Sequence, residues 1–201
     1  MQIRSRPTAL HSARFMLAAA GFVAGAAVTT PAAAADFNIG GDVGAADGRV
    51  DCVASFACDR SSTSWKLFAG WKLSETFDLQ AVGFGGGRFK GGDTTPGGAD
   101  FGGSFRVEGI GLTGGYRWAL APAWSLVGRA GVASVRTRFQ YADSSVGDVG
   151  KTTTQPLLGL DLAWQLSPAV ALGLDYDLTR FKAHSTHGAL HMLGIAAQYS
   201  F

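Results

Sequence analysis

The chain has 201 residues, of which 47% are hydrophobic and 29 are glycine. This length and composition suit one folded domain and exclude a disordered chain or a helix-rich bundle, because abundant glycine favours turns and close strand approaches. The formal net charge is +2, but residues 1–35 hold three arginines and no acid, so the remainder has 14 basic and 15 acidic residues and no basic patch for nucleic acid.

The N-terminus has the layout of an export signal. Arg4, Arg6 and Arg14 flank the start of the apolar run FMLAAAGFVAGAAV, and the small-residue stretch PAAAAD follows it. The alternative is an N-terminal membrane anchor, but the run is shorter than the ~20 residues that a spanning helix needs. We therefore predict a cleaved signal peptide over residues 1–35 and one domain over residues 36–201.

Alternation of apolar and polar residues predicts eight strands in this domain. The clearest case is VALGLDYDL, where Tyr176 shares a face with the valine and the leucines while Asp175 and Asp177 lie on the opposite face. The predicted strands span residues 36–44, 62–73, 77–86, 104–118, 124–138, 152–166, 170–181 and 189–201. Each is about as long as the 9–11 residues with which a tilted strand crosses a bilayer, or longer.

Short turns alternate with longer connections along these strands. Three related stretches, WKLSETFDL, WALAPAWSL and WQLSPAVAL, begin at positions 71, 118 and 164, and each places a turn between two strands. The longer connections, rich in Gly, Asp, Ser, Thr and Lys, span residues 45–61, 87–103, 139–151 and 182–188. Short turns at one end and long loops at the other are typical of transmembrane barrels.

Four tryptophans lie beside the short turns, as an aromatic girdle at a membrane interface would: Trp71, Trp118, Trp124 and Trp164. The alternative fold, a soluble β-sandwich, would direct its apolar face against a second sheet. The girdle, the loop asymmetry and the export signal together predict an all-β fold, an eight-stranded antiparallel up-and-down transmembrane β-barrel.

Polar residues of the opposite face are expected to fill the barrel interior, because eight strands leave room for side chains and not for a diffusion channel. The predicted interior cluster consists of Lys66, Lys72, Arg129, Asp161, Asp175 and Asp177. Further inward positions are Asn38, Asp42, Asp78, Gln80, Gln165 and Gln198. Opposite charges favour a plug of ion pairs over the alternatives, a gated proton or ion path or an active site. Arg106 and Glu108 share the parity of Trp118, which indicates either the outer rim or a bulge near Gly109.

The last strand, LHMLGIAAQYSF, ends in an alternating apolar and aromatic column that finishes at Phe201. With the segment FAGWKLSETFDLQAVGFG, it resembles the small eight-stranded barrels that include the transmembrane domain of outer membrane protein A, OmpX and the opacity-type adhesins. The resemblance implies a bacterial outer membrane location, contact with outer membrane lipids and lipopolysaccharide, and surface ligands such as those of a host. It also implies insertion by the barrel assembly machinery, with Tyr199 and Phe201 as the insertion signal.

Further candidate chemistry lies in and around the loops. Cys52 and Cys58 predict a disulfide in an oxidising compartment, with a metal site or a free thiol pair as the alternatives. His184, His187 and His191 surround the last loop and could ligate a metal. His184 with Ser185 is the candidate pair for a lipid A deacylase or acyltransferase. No carboxylate follows His184 to orient it, so exposed loop histidines are the favoured interpretation.

The expected function is therefore a structural or surface-interaction role, adhesin-like, through the extracellular loops. The glycine-rich connection at residues 87–103 lacks the spacing of a phosphate-binding loop. We expect no enzyme activity, no metal, no cofactor and no diffusion pore. A lipid A-modifying enzyme is the alternative.

Overall fold

The structure, a computed structural model, describes residues 37–49, 59–94, 100–141, 149–182 and 187–201. The predicted signal peptide lies outside these residues, as do Cys52, Cys58, His184 and Ser185. The strands are β1 (Phe37–Arg49), β2 (Ser61–Lys72), β3 (Phe77–Thr94), β4 (Asp100–Ala121), β5 (Trp124–Tyr141), β6 (Val149–Gln165), β7 (Val170–Lys182) and β8 (His187–Ser200). In the described part of the chain, no helix is long and apolar enough to cross a membrane.

The eight strands form one closed antiparallel barrel in chain order. Each strand pairs with the next, and β1 closes the barrel against β8 from Asn38 opposite Ser200 to Arg49 opposite Ala189. Closure satisfies the backbone hydrogen bonds of every wall strand, which is the condition for crossing a bilayer with strands. The predicted fold class is confirmed.

Several strands run further than the sequence predicts, and β3 and β4 extend the most. The connection at residues 87–103 is paired over most of its length, because β3 continues to Thr94 and β4 begins at Asp100. Glycine faces glycine in two successive rungs, Gly91 with Gly103 and Gly92 with Gly102. The hydrogen bonds between paired strands use backbone groups alone. A glycine-rich sequence, which predicts a loop, can therefore still extend a hairpin.

A bulge lies in β3 rather than near Gly109. The register between β3 and β4 shifts between Gly85 and Arg88, and the inward parity on β3 changes from even to odd, so that Phe89 is buried. On β4 the parity is constant across Gly109, and Arg106 is exposed on the outer face. Of the two interpretations of Arg106 and Glu108, the structure therefore agrees with the outer rim and not with a bulge near Gly109.

The outer face is apolar around the middle of the wall. Five of its side chains are 64–71% exposed: Val43, Leu67, Ile110, Leu112 and Ile195. A continuous belt of this kind exceeds the apolar patches of soluble monomers and matches the lipid-facing band of membrane barrels. The β-sandwich alternative is excluded, because this barrel directs its apolar residues outward.

Candidate functional site

The barrel interior holds two layers of side chains. Near the short turns it is charged, and towards the long loops it is apolar. Because interior positions alternate with lipid-facing ones on each strand, every strand contributes to this filling. The two layers decide whether the barrel can conduct.

Lys66 organises the first part of the charged layer. Its ammonium lies 2.5 Å from Asp175 Oδ1 and 2.6 Å from Asp177 Oδ2, and 3.5 Å from Asp42 Oδ2. All four side chains are at least nine-tenths buried. β2 brings the lysine to the centre, while β1 and β7 supply the carboxylates from either side. The three carboxylates lie within 4.8 Å of one another, a spacing that could hold a metal ion, and the Lys66 ammonium contacts all three.

Arg129 organises the second part. Its Nη1 donates to Asp161 Oδ2 at 2.5 Å, its Nε donates to Gln80 Oε1 at 3.3 Å, and its Nη2 lies 3.8 Å from Asp78 Oδ2. Arg117 joins the same group, with Nη2 at 3.9 Å from Asp78 Oδ2. A buried charge persists only when it is paired, so these contacts hold four strands, β3 to β6, in one register.

The predicted interior residues do not all belong to this network. The structure brings Lys66, Asp175 and Asp177 together, and Arg129 with Asp161. Lys72 is half-buried beside the turn and has no ion pair among the residues that the structure describes. Gln165, which the alternation also placed inside, is instead exposed and donates to the turn carbonyl of Ser167 at 2.6 Å.

Arg117 was missed by the sequence analysis. It has the inward parity of Thr113 and Gly115 on β4, while Arg106 and Glu108 on the same strand face outward. The sequence analysis left the inward face of this strand undecided, so it did not identify Arg117 as an interior residue. Its guanidinium also donates to Ser125 Oγ at 2.9 Å across the short turn between β4 and β5.

The apolar layer was missed as well. Phe89 stacks on Phe105 with ring centroids 5.0 Å apart, and Phe105 stacks on Phe181 at 5.5 Å. Fully buried partners surround them: Phe84, Val107, Val135, Leu157 and Leu190. On β7 the signal was present, because the parity of Asp175 and Asp177 leads directly to Phe181. On β3 the bulge changes the inward parity before Phe89, so alternation along the earlier part of the strand does not place this residue inside.

The tryptophans named from the sequence face outward beside the short turns. Trp71, Trp118, Trp124 and Trp164 are 42–48% exposed on the outer face. Trp124 stacks on Trp164 across β5 and β6 at 5.8 Å, and Trp71 stacks on Phe37 at the same distance. Tyr199 and Phe201, in edge contact at 5.2 Å, belong to the same ring of aromatics.

One histidine near the last loop makes a side-chain hydrogen bond within the described residues. His191 Nδ1 and Tyr176 Oη are 2.7 Å apart, with both side chains on the outer face. His187 is exposed at the start of β8 and pairs through its backbone with Lys182. Neither lies in the barrel interior, and the candidate pair His184 and Ser185 falls outside the described residues.

Comparison with known proteins supplies the family. Residues 16–201 match the model described as outer membrane protein beta-barrel domain. Neisserial surface protein A (NspA) is similar in structure, with a TM-score of 0.63 and 15% identity over 84% of this chain and 99% of that chain. The outer membrane protein OprG from Pseudomonas aeruginosa has a TM-score of 0.54 and 12% identity over 84% and 97% of the two chains. No curated protein sequence matches significantly.

Proposed function

Because this chain belongs to the outer membrane protein beta-barrel family, we propose that it is a structural and surface-interaction protein that binds its partners through the extracellular loops. The family resemblance of the last strand and the outer membrane location are confirmed by the family match. The adhesin-like role, the absence of a pore and the absence of catalysis belong to the proposal.

The filled interior is the observation that carries it. An ion-paired layer around Lys66 and Arg129 lies in series with an apolar layer around Phe89 and Phe181. The charged layer is filled by ion pairs and the apolar layer by packed aromatic rings, so the two in series offer no continuous polar path. A barrel without a conducting path acts through its wall and its loops, and loops on a rigid scaffold are the usual place of recognition.

Conductance tests the closed interior. Purified protein inserted in planar bilayers is expected to give no sustained open-channel current. The double variant Phe89→Ala/Phe181→Ala, which empties part of the apolar layer, is the comparison for a partly opened barrel. Sustained ohmic conductance of the wild type would contradict the proposal.

Loop replacement tests the surface role. Cells of a laboratory strain would carry either the wild-type protein or a variant in which short glycine-serine turns replace residues 50–58, 95–99, 142–148 and 183–186. The measurement is adhesion to immobilised fibronectin and laminin, together with cell–cell aggregation. We expect both to rise with the wild type and to return to the vector level with the loop variant at equal surface amount. Wild-type cells that remain at the vector level in all assays would contradict an adhesin role.

No described contact favours lipid A chemistry. Among the described residues, the His191 side chain contacts Tyr176, through a hydrogen bond and a ring contact, and not a serine or a carboxylate. Mass spectrometry of lipid A from cells with and without the protein is expected to give identical spectra. A shift by one acyl chain that disappears in His184→Ala/Ser185→Ala would replace the surface role by an enzymatic one.

A further inference from the structure

Three arginines lie in one row across the outer wall near the loop end. Arg88 on β3 is the direct cross-strand partner of Arg106 on β4, and Arg106 is the direct partner of Arg138 on β5. Like charges directly opposite each other destabilise a sheet. Within the described residues, none of the three guanidinium groups has an ion-pair or hydrogen-bond partner. The row therefore concentrates positive charge on this wall, where it can attract an anion.

The neighbouring charges increase the positive potential. Lys90 and Arg136 are exposed next to the row, on β3 and β5. Glu108 is the nearest acid along β4, and it lies opposite Arg136 rather than opposite an arginine of the row. A small depression of about 60 Å³ lies at the row and is lined by Arg88, Ser104, Phe105, Arg106, Arg138 and Gln140. Arginine forks fit phosphate oxygens in a bidentate manner, and a depression with several forks can hold such a group.

The depth of the row indicates a lipid headgroup. On β4 both Arg106 and Trp118 face outward, and the girdle tryptophan marks the membrane boundary near the short turns. At a tilt of about 40°, the strand between them rises roughly 30 Å along the membrane normal, slightly more than the ~25 Å apolar band of such barrels. The arginines thus face the zone where the headgroups of the opposite leaflet begin, on the side of the long loops.

A separate groove lies on the same wall nearer the membrane centre, with Glu108 and Arg136 between it and the row. It is a wide, open groove of about 800 Å³ over β2 to β6, with Leu67, Ile110, Leu112 and Val132 among its walls. Gly83 and Ala81 form part of its floor, and a Cβ at Gly83 would have no heavy atom within 4 Å. Ile110 and Leu112 follow Arg106 on the same face of β4. An apolar groove on the lipid-facing wall can hold an acyl chain of a lipid whose headgroup contacts the row.

We propose that this face is a specific site for a phosphorylated, acylated lipid of the outer leaflet, of the lipid A type. The Arg88, Arg106 and Arg138 guanidinium groups bind its phosphate, and the groove at Gly83 holds one acyl chain. The inference goes beyond the proposed function, because it uses the wall and not the loops. A loop variant without adhesion would leave it intact.

Binding to defined lipids tests the phosphate site. Protein refolded in detergent without lipopolysaccharide would be titrated with bisphosphorylated lipid A, with dephosphorylated lipid A and with phosphatidylglycerol, followed by native mass spectrometry. The test variant is Arg106→Gln/Arg138→Gln. The matched control is Arg180→Gln/Lys182→Gln, which removes the same charge from exposed positions of β7 whose cross-strand partners are Ala189 and His187.

We expect the test variant to bind bisphosphorylated lipid A about tenfold more weakly or worse, the control to match the wild type, and dephosphorylated lipid A to bind the wild type weakly. Equal affinities of the wild type and the test variant would overturn the site. Equal losses in the test and control variants would reduce it to non-specific charge. Displacement of lipid A by inorganic phosphate, or tighter binding of phosphatidylglycerol, would overturn the lipid A assignment in favour of a free anion or a phospholipid.

Gly83→Leu tests the acyl-chain groove independently. The added side chain fits the space at this position, so the barrel is expected to fold with its normal stability. Affinity for hexa-acylated lipid A should fall several-fold, while affinity for the deacylated phosphorylated headgroup should not change. If Gly83→Leu weakened binding of the deacylated headgroup alone, or changed the affinity for neither ligand, the groove would be removed from the proposal. Binding of a sulfated polysaccharide that competes fully with lipid A would identify a soluble polyanion instead.

Discussion

The ammonium of Lys66 lies among three buried carboxylates, those of Asp42, Asp175 and Asp177. Among the described interior residues near the turns, five aspartates face only three cations, which include Arg117 and Arg129. Lys66 and Arg129 therefore each compensate more than one carboxylate. Removing one partner of a buried pair leaves an uncompensated charge, and this is more damaging than replacing both partners.

Lys66→Met should destabilise the barrel by roughly 3–5 kcal/mol, because three carboxylates lose their common partner. The measurement is urea-induced unfolding in lipid vesicles, followed by tryptophan fluorescence. Lys72→Met is the matched control: its lysine is half-buried and without an ion pair among the described residues, so its effect should stay within about 0.5 kcal/mol. Adding Asp175→Asn to Lys66→Met should restore part of the stability. A Lys66→Met protein as stable as the wild type would show that the pair network is not needed.

The cysteine pair of the first long loop remains a prediction at the residue scale. Cys52 and Cys58 are expected to be linked after export. Protein extracted without reductant should resist alkylation at both positions and gain two labels after reduction. Alkylation of both thiols without reduction would refute the disulfide.

At the scale of the strands, close backbone approach decides where glycine is required. Gly44 on β1 lies opposite Gly194 on β8, at the seam that closes the barrel. A Cβ at Gly44 would lie 1.9 Å from the carbonyl oxygen of Leu193 and 2.4 Å from the Cα of Gly194. Backbone atoms cannot move aside as a flexible side chain does, so the strands themselves would have to shift.

Gly44→Ala should therefore destabilise the seam, by about 1–3 kcal/mol as for other overpacked sites. Gly150→Ala on β6 is the control, because its added Cβ would be 3.8 Å from the nearest heavy atom, the Thr137 carbonyl oxygen. Urea unfolding and the heat-dependent mobility shift on gels measure both variants. Equal folded fractions and equal unfolding midpoints would contradict a steric limit at the seam.

For the whole molecule, closure ties the two ends of the domain together. The Phe201 amide donates to the Phe37 carbonyl at 3.1 Å, while the Phe201 ring is 60% exposed and touches Tyr199. The backbone thus completes the barrel and the ring faces lipid. A ring that contributes little internal packing is available for recognition during insertion, which fits the predicted signal at Tyr199 and Phe201.

Phe201→Ala should lower the amount of protein in the outer membrane several-fold while leaving refolding of the purified chain in detergent unchanged. The expectation separates recognition by the barrel assembly machinery from folding stability, because the backbone bond to Phe37 is kept. Phe37→Ala is the control. The Phe37 side chain belongs to the same aromatic girdle and is similarly exposed, at 58%, and this variant should assemble normally. Equal membrane levels of Phe201→Ala and the wild type would argue against the signal.

The sequence by itself determined the class of the fold, because a period of two in apolar residues defines one lipid-facing side and the repeated tryptophan turns count the hairpins. Alternation also located Lys66, Asp175, Asp177 and Arg129 on the inner face. Only the tertiary structure decided which charges meet, since Lys66 and Asp175 belong to strands that are far apart in the chain and meet across the closed interior. Likewise, only register places Arg88, Arg106 and Arg138 in one row, because a single bulge in β3 changes the face of every later residue on that strand.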